Sequence, residues 1–295
     1  MEGLPIERVE GNILDRKSLA VAFAGVDTVY HLAALVSLLE VHAPLLQRVN
    51  VEGTCNVLLA ARQSKVRRLV YTSSIHALTR PPAGVTIDES LPFDISNPAG
   101  PYDRSKAMAS LVVQVAQAAG LDAVIVCPTG VIGPFDFRRS EMGEMILEWM
   151  GRKLHFLVQG GFDFVDVRDV ARGHILAAKY GRSGETYILG GQHIGVRQLC
   201  ALVQKLAGSH SPALQLPPWA AVTAAWLAEG YYRLSHTRPR FTRYSLETLL
   251  SNSAISSSKA VRELGYSSRA LGDSLADTVA WWLENRTRIR SAVRI

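Results

Sequence analysis

Short apolar runs alternate along the first half of the chain with longer stretches of helical periodicity. The short runs predict strands at Ile6–Glu10, Thr28–Ala33, Arg68–Thr72 and Ala123–Cys127. The periodic stretches predict helices at Asp15–Phe23, Pro44–Ser64 and Pro101–Ala119. Near-continuous apolar strands separated by helices are typical of a parallel sheet covered on both faces. The pattern therefore predicts an α/β fold with a Rossmann-like, doubly wound parallel sheet.

The pattern changes after Pro128, where helical periodicity dominates. Helices are predicted at Ser140–Met150, Val170–Tyr180, Val196–Leu206, Trp219–Leu234 and Leu271–Glu284, joined by short strands such as Thr186–Leu189. This second half is predicted to form a smaller, mainly helical lobe.

Composition narrows the class of protein. The chain has 295 residues, 48% hydrophobic and 20% charged, which suits one large domain or two modest ones. The net charge of +6 favours anionic partners without choosing among them. Part of it lies in a basic tail with arginines at 286, 288, 290 and 294. No basic face with aromatic or helix-turn-helix context accompanies that tail, so nucleic-acid binding is not expected.

Cysteine usage and the apolar segments bear on the compartment. The three cysteines, Cys55, Cys127 and Cys200, are far apart and form no metal-binding spacing, so neither a disulfide framework nor a metal site is expected. The first residues lack a signal-peptide pattern, and the apolar run Trp219–Ala228 is about half of the roughly 20 residues that cross a bilayer. We expect a cytoplasmic protein without a membrane span.

Two residues at the start of a predicted helix have the spacing for proton transfer. Tyr102 and Lys106 are four positions apart, so their side chains project from one helix face. A nearby cation favours the phenolate and lowers the tyrosine pKa from its usual value near 10. Such a pair can move a proton at an alcohol or carbonyl oxygen. The alternative is a plain surface contact between helical neighbours.

A hydroxyl cluster lies at the end of a predicted strand. Thr72, Ser73 and Ser74 follow the apolar run at the edge where doubly wound sheets bind ligands. A hydroxyl there can hydrogen-bond a substrate oxygen opposite Tyr102. Capping of the strand end is the equally common alternative.

Six segments, in the same order, resemble the extended short-chain dehydrogenases/reductases. They are DTVYHLAA, NVEGTCNVLLAA, LVYTSS with PYDRSKA, CPTGVIGP, FVDVRDVARGHILAA and, near the end, KAVRELGYSSRALGDSLADTVAWW. The chain is most similar to the dihydroflavonol-reductase-like and 3β-hydroxysteroid-dehydrogenase-like branch, with nucleotide-sugar epimerases and dehydratases close by. The resemblance implies a dinucleotide-binding part at residues 1–134, joined by 160–180, and a substrate-binding lobe at 135–159 and 181–295.

The resemblance also implies roles for single residues. Tyr102 is the general acid/base, Lys106 lowers its pKa and holds the nicotinamide ribose, and Ser74 orients the substrate oxygen. The cofactor is NAD or NADP, with NADP favoured by the branch. The implied cofactor contacts are Asn12 and Ile13 at the adenine, Leu32, Ala33 and Ala34 along the cofactor, and Asn50, Thr72, Tyr102, Lys106, Pro128, Val131 and Ser140. The implied substrate contacts are His76 and Phe135, whereas His31, inside a strand, is interpreted as a hydrogen-bonded core residue.

The match breaks at the start of the chain. The family begins with a strand, a GxxGxxG turn and a helix, whose backbone N–H groups bind the cofactor pyrophosphate. Gly3 and Gly11 do not have that spacing, and the residues before Asn12 resemble the family's third strand. We expect the printed start to be an internal methionine of a longer protein. The alternatives are strands paired through a partner subunit and a decayed reductase that binds no dinucleotide.

Three functions remain open at this point. The first is hydride exchange between NAD(P) and a small-molecule ketone or secondary alcohol. The second is nucleotide-sugar epimerisation or dehydration with the same three side chains. The third is a catalytically silent dinucleotide-binding or scaffold protein. By the same resemblance, the helices Pro44–Ser64 and Pro101–Ala119 could pair across a two-fold axis as the four-helix interface of a homodimer.

Overall fold

The computed structural model describes residues 3–37, 39–82, 84–151, 154–217, 220, 223 and 254–292, the last seven as backbone only. The chain forms two compact units. The first unit comprises Met1–Thr79, Pro92–Cys127 and Ala177–Thr186, and the second comprises Arg80–Leu91, Pro128–Leu176 and Tyr187–Ile295.

The first unit alternates helices and strands. Its elements are α1 (Arg16–Ala22), β1 (Thr28–His31), α2 (Ala43–Leu46), α3 (Gly53–Gln63), β2 (Arg68–Thr72), α4 (Pro101–Ala118) and β3 (Ala123–Pro128), with 3-10 turns at Glu40–His42 and Ile75–Ala77. Pro101 begins α4, a position where the missing proline N–H costs no hydrogen bond.

A four-stranded sheet organises this unit. Its order is β1-β2-β3-β7, where β7 is Thr186–Leu189. β1 pairs with β2 and β2 with β3 in parallel register, with Thr28 opposite Arg68 and Leu69 opposite Ala123. β2 and β3 are buried almost throughout, as expected for strands covered on both faces. The predicted Rossmann-like parallel sheet is therefore confirmed.

Strand β1 lies at one edge of the described sheet. Among the described strands it pairs with β2 alone, so its other edge has no strand beside it. Tyr30 is 41% exposed, and Leu32, just after the strand, is 58% exposed. The segment predicted as a strand at Ile6–Glu10 is not one, because no neighbouring strand supplies hydrogen bonds to it and its side chains are exposed.

The predicted helix Pro44–Ser64 is interrupted by a π-helical turn at Gln47–Glu52, between α2 and α3. Within this region the Thr54 hydroxyl donates a 2.6 Å hydrogen bond to the carbonyl oxygen of Asn50. A side-chain hydroxyl thus donates to a backbone carbonyl near the point where the π-helical hydrogen-bond pattern gives way to the α-helical one. The spacing of apolar residues predicts which face of a helix is buried, but it does not predict a π-helical turn within the helix.

The second unit packs helices around two small sheets. Its elements are β4 (Gly130–Ile132), α5 (Glu141–Trp149), β5 (His155–Val158), β6 (Gly161–Asp166), α6 (Val167–Tyr180, whose last turn belongs to the first unit), β8 (Gln192–Gly195), α7 (Val196–Leu206), β9 (Ala213–Leu216), α8 (Ser258–Leu264) and α9 (Leu271–Ala292). β4 is parallel to β6, β6 is antiparallel to β8, and β5 is parallel to β9. The core includes Ile146, Leu199, Leu275 and Trp282, which are at most 1% exposed.

The predicted division into a dinucleotide-binding part and a substrate lobe concerns the binding of ligands and stays a prediction. One strand that this division assigns to the lobe, β7 (Thr186–Leu189), belongs to the first sheet.

The predicted helix at Trp219–Leu234 lies outside the described residues, apart from residues 220 and 223. Within the part of the chain that the structure describes, every helix falls short of the length or apolarity that crossing a bilayer requires.

Arg68 ties three parts of the first unit together. Its guanidinium makes two hydrogen bonds to Asp122, at 2.9 and 3.0 Å, and donates to the carbonyl oxygens of Ala178 and Gly181. Its side chain is 13% exposed. The neighbouring Arg67 forms the same kind of two-fold pair with Asp27, but both of those side chains are more than 60% exposed.

We expect Arg68→Met to lower the free energy of unfolding by about 2–4 kcal/mol, because it leaves a half-buried carboxylate and two carbonyl oxygens without their donor. Arg67→Met is the matched control, and we expect no measurable change because water replaces an exposed ion pair at little cost. Urea denaturation of both variants checks this. Equal losses for the two variants would contradict the role given to Arg68.

Candidate active site

The predicted serine and tyrosine meet beside the end of β2. Ser74 follows the strand and begins the 3-10 turn Ile75–Ala77, where its Oγ accepts a hydrogen bond from the His76 N–H at 3.2 Å. Tyr102 lies in the first turn of α4, and its hydroxyl is close enough to the Ser74 side chain for that side chain to influence its pKa. The structure therefore brings together two hydroxyl groups that are 28 positions apart in the sequence.

Lys106, one helical turn after Tyr102, is 3% exposed. Its Nζ donates a 2.5 Å hydrogen bond to the carbonyl oxygen of Thr72, the last residue of β2. The same Nζ lies 4.5 Å from the ring centroid of Tyr71. Burial lowers the pKa of Lys106 to about 8, which leaves the side chain mostly a cation at neutral pH.

The pKa of Tyr102 moves in the direction opposite to the expectation. Burial raises it to about 12, the nearby charge of Asp103 adds to the increase, and the interaction with the Ser74 side chain opposes it. The resemblance implied that Lys106 lowers this pKa, but in the structure the ammonium is directed to the Thr72 carbonyl and the Tyr71 ring. At neutral pH the Tyr102 phenol is therefore protonated and able to donate its proton.

The buried side chain of Asn50 hydrogen-bonds to other residues of the first unit. Its Oδ1 accepts from the Leu35 N–H at 2.8 Å, and its Nδ2 donates to the Leu35 carbonyl oxygen and to the Ser105 Oγ, both at 2.9 Å. Ser105 in turn donates to the carbonyl oxygen of Tyr102 at 2.8 Å. Because both amide N–H donors are used, Asn50 links the loop after β1 to the first turn of α4, and the contact with a cofactor stays a prediction.

His31 is the satisfied core residue that the sequence indicated. It is 4% exposed, and its Nε2 lies 2.9 Å from the Thr54 Oγ1. Since the Thr54 hydroxyl donates to the Asn50 carbonyl oxygen, the imidazole must donate to Thr54. Burial and, after it, the charge of Lys106 lower the pKa of His31 to about 3, so the ring is neutral.

The residues implied at the adenine lie in a turn before α1. The Asn12 side chain accepts from the Leu14 N–H at 2.9 Å, and the Ile13 carbonyl oxygen accepts from Asn56 at 3.0 Å. The Ile13 side chain lies against Gly53, where a Cβ would come within 2.6 Å of its Cδ1. A side chain at Gly53 would therefore force the Ile13 side chain to shift, and the contact of Asn12 and Ile13 with a ligand stays a prediction.

The loop after β1 is open to a ligand. Leu32, Ala33 and Ala34 are exposed and follow the carboxyl end of β1. Because parallel strands end at the same edge of a sheet, this loop and Thr72 lie at one edge. His76, one turn from Ser74, is half-buried, and its carbonyl oxygen accepts from Asn97.

Three further predicted residues line one cavity in the second unit. Val131, Phe135 and Ser140 border a cavity of about 310 Å³, together with apolar side chains that include Met142, Ile146 and Trp282. Ser140 also begins α5: its Oγ accepts from the Gly143 N–H and donates to Asp136. Pro128, the remaining predicted contact, is buried at the end of β3.

Phe135 belongs to an aromatic group beside that cavity. Its backbone has a φ of 74°, a conformation that non-glycine residues seldom adopt, and it is 60% exposed. Its ring lies 6.4 Å from both Phe137 and Trp281. Such strain is often found where side chains contact ligands.

Several residues at the site escaped the sequence reasoning. Asp103, fully buried next to Tyr102, and Tyr71, under the Lys106 ammonium, both stand inside the motifs quoted above. Ser105 and Thr54 carry the hydrogen bonds behind them. These residues lie within the segments PYDRSKA, LVYTSS and NVEGTCNVLLAA, which could have drawn attention to them. A motif, however, does not predict how buried a residue is or which groups it contacts.

Comparison with known proteins gives a consistent picture. A family model described as "NAD dependent epimerase/dehydratase family" matches residues 2–190. The chain is 36% identical over 286 residues to sterol demethylase protein B of Methylococcus capsulatus, covering 96% of this chain and 87% of that protein. It is 30% identical over 275 residues to a 4-hydroxy-2-methyl-3-oxo-4-farnesyl-3,4-dihydroquinoline-1-oxide ketoreductase of Stigmatella aurantiaca, covering 91% and 81%.

A solved structure agrees with the fold. The dTDP-glucose 4,6-dehydratase DesIV of Streptomyces venezuelae, crystallised with NAD and TYD bound, superposes with a TM-score of 0.76 at 25% identity. The match covers 97% of this chain and 83% of that one.

The lowered pKa of His31 gives a pH-dependent stability. Between pH 3 and the ordinary value near 6.5, the unfolded chain binds a proton at His31 that the folded chain does not, so stability falls as the pH falls through this window. We expect wild type to lose up to about 1.4 kcal/mol per pH unit relative to His31→Gln between roughly pH 6 and 4.5. Urea denaturation at several pH values checks this, with the exposed His210→Gln as the control. Parallel pH curves for wild type and His31→Gln would show that His31 is not buried as a neutral ring.

Proposed function

Because the chain belongs to the NAD-dependent epimerase/dehydratase family within the extended short-chain dehydrogenases/reductases, we propose that it is an oxidoreductase that exchanges hydride between a nicotinamide cofactor and a ketone or secondary alcohol. The observation that carries the proposal is that the Ser74 and Tyr102 side chains lie close together, with the Lys106 ammonium one helical turn further on. Together they supply a proton donor, a hydroxyl that can orient a carbonyl oxygen and a cation.

The chain's own residues handle the proton. In the reducing direction Tyr102 donates its phenolic proton to the carbonyl oxygen, and Ser74 orients that oxygen by a hydrogen bond. In this proposal the positive charge of Lys106, one helical turn further along α4, favours the phenolate as its negative charge develops. When bound, the nicotinamide ring supplies the hydride to the carbonyl carbon in this direction and accepts it in the reverse.

The donor set suits the nicotinamide half of such a cofactor. An ammonium has three N–H donors and the Thr72 carbonyl takes one, so Lys106 can also donate to ribose hydroxyls. The exposed loop Leu32–Ala34 lies at the same sheet edge as Thr72 and offers backbone along which a cofactor can lie. In this proposal Asn50 acts by holding that loop to α4, and the preference for NADP over NAD stays a prediction.

We propose that the substrate is a largely apolar ketone or alcohol. The cavity bordered by Val131, Phe135 and Ser140 is lined mainly by apolar side chains, which favours an apolar ligand. Two relatives are named for a sterol and for a farnesylated quinoline. A polycyclic 3-ketosteroid is therefore a reasonable first test compound.

The decisive experiment measures binding and turnover separately. Calorimetric titration with NADH and with NADPH tests dinucleotide binding, and nicotinamide absorbance with the ketosteroid tests net cofactor oxidation. We expect binding of one dinucleotide and net oxidation. Binding with cofactor recycling on a nucleotide sugar would favour the epimerase or dehydratase function. Binding without chemistry on either compound would favour a silent dinucleotide-binding protein, and no binding of either dinucleotide would contradict the proposal.

We expect Tyr102→Phe to reduce turnover at least about 100-fold while leaving dinucleotide affinity nearly unchanged, because only the proton donor is removed. Ser74→Ala should reduce turnover less, since the donor remains. Steady-state kinetics and calorimetry check both, and Tyr180→Phe, which removes the hydroxyl of a half-exposed tyrosine in α6, is the control. Full turnover by Tyr102→Phe would reject the role assigned to Tyr102.

We also propose a homodimer formed by the helices of the first unit. Leu45 on α2, Leu59 on α3 and Val115 on α4 are 43%, 41% and 70% exposed, and an interface between these helices would bury their apolar side chains. Sedimentation velocity at micromolar concentration should give a dimer, and Val115→Asp should weaken it. A monomer for the unmodified protein would contradict this proposal.

A further inference from the structure

We propose that Tyr71 is a positioning residue for Lys106: its buried ring binds the ammonium on which the proposed reaction depends, and His31 with Thr54 fixes that ring in place. The inference rests on the proposed function for its consequence in catalysis. The contact itself is a property of the folded chain.

Two successive residues of β2 bind the ammonium. The Thr72 carbonyl oxygen accepts one of its N–H groups at 2.5 Å, and the Tyr71 ring centroid lies 4.5 Å from the same Nζ. Tyr71 is 1% exposed and Lys106 is 3% exposed, so this cation–π contact is shielded from water. Shielded contacts of this kind are the strong ones, because no water competes for the cation.

The ring also compensates for burial. Taking an ammonium out of water favours its neutral form, and Lys106 shows that effect. An aliphatic side chain in place of Tyr71 would give the ammonium no electrostatic partner on that side. Tyr71 therefore helps to keep Lys106 charged at the pH where Tyr102 must lose its proton.

His31 packs against the same ring. The His31 and Tyr71 ring centroids are 5.5 Å apart, with the ring planes tilted by 41°. The imidazole is anchored from behind by its hydrogen bond to Thr54, whose own hydroxyl proton goes to the Asn50 carbonyl oxygen. The neutral imidazole carries no positive charge that would repel Lys106. It can therefore pack against the Tyr71 ring without displacing the ammonium.

The test changes the ring's electrostatics without changing its shape. Tyr71 is replaced by Phe and then by mono-, di- and trifluorinated phenylalanines, because fluorine withdraws the negative charge from the ring face that attracts a cation. The titration of Lys106 is followed by NMR of the 13Cε signal in lysine-labelled protein, with Lys106→Met identifying the signal. The titratable groups that interact with the Lys106 ammonium are His31, Tyr71 and Cys127. Tyr102 and Asp103 lie one helical turn earlier on α4.

We expect Tyr71→Phe to titrate near wild type and the midpoint of Lys106 to fall stepwise with fluorination, by about one pH unit over the series. The pH at which dinucleotide affinity weakens should fall with it. The control is the same trifluorinated residue at Tyr187, a fully buried tyrosine in β7 with the Lys259 Nζ 5.0 Å from its ring centroid, which should leave Lys106 unchanged.

An unchanged Lys106 midpoint across the Tyr71 series would overturn the inference. A midpoint that falls in a protein that reduces no ketone would support the contact between Tyr71 and Lys106 while rejecting the proposed function. The two failures are therefore distinguishable. Because every variant in the series keeps an aromatic ring in the core, loss of folding is not expected to mask the result.

Discussion

A buried ammonium is the constraint on which the first unit's site depends. Lys106 has almost no exposure, so its charge has to be met by the protein itself. The Thr72 carbonyl and the Tyr71 ring meet it, which fixes the register between α4 and the end of β2. That register places Tyr102, one turn earlier on α4, beside Ser74, two residues after β2. If the ammonium moved, the Tyr102 hydroxyl would no longer be held beside the Ser74 hydroxyl.

A second set of contacts holds the same helix from the other side. Asn50 joins the Leu35 backbone to Ser105, and Ser105 joins the carbonyl of Tyr102. Thr54 joins His31 to the Asn50 backbone. The first turn of α4 is thus held through buried polar side chains whose donors are all used, an arrangement that favours one geometry over neighbouring ones. Proton transfer needs that fixed geometry, because a small displacement of the donor costs much of the rate.

The sequence predicted most clearly those elements whose signal is local. Arg68–Thr72 and Val196–Leu206 have the predicted bounds because their apolar patterns coincide with their burial. Ile6–Glu10 failed because a strand depends on a partner that a local pattern does not contain. The motifs indicated Ser74, Tyr102 and Lys106, but the direction of the Tyr102 pKa shift was wrong, since burial and the neighbouring Asp103 outweigh a cation that is engaged elsewhere. Asn50 contacts Ser105 and Tyr71 contacts Lys106, and in both pairs the partner is distant in sequence. The spacing of residues within a motif therefore could not predict these contacts.

The burial of a charged Lys106 can be measured directly through stability. The folded protein holds the pKa of Lys106 at about 8, below the ordinary value near 10.5, so between these values the unfolded chain binds more protons and stability should rise with pH. The measurement is the free energy of unfolding of wild type and Lys106→Met from pH 7 to 10. The account predicts that wild type gains stability relative to Lys106→Met above about pH 8. A constant difference between the two proteins across this range would show that the ammonium is not buried as described, and would contradict the account.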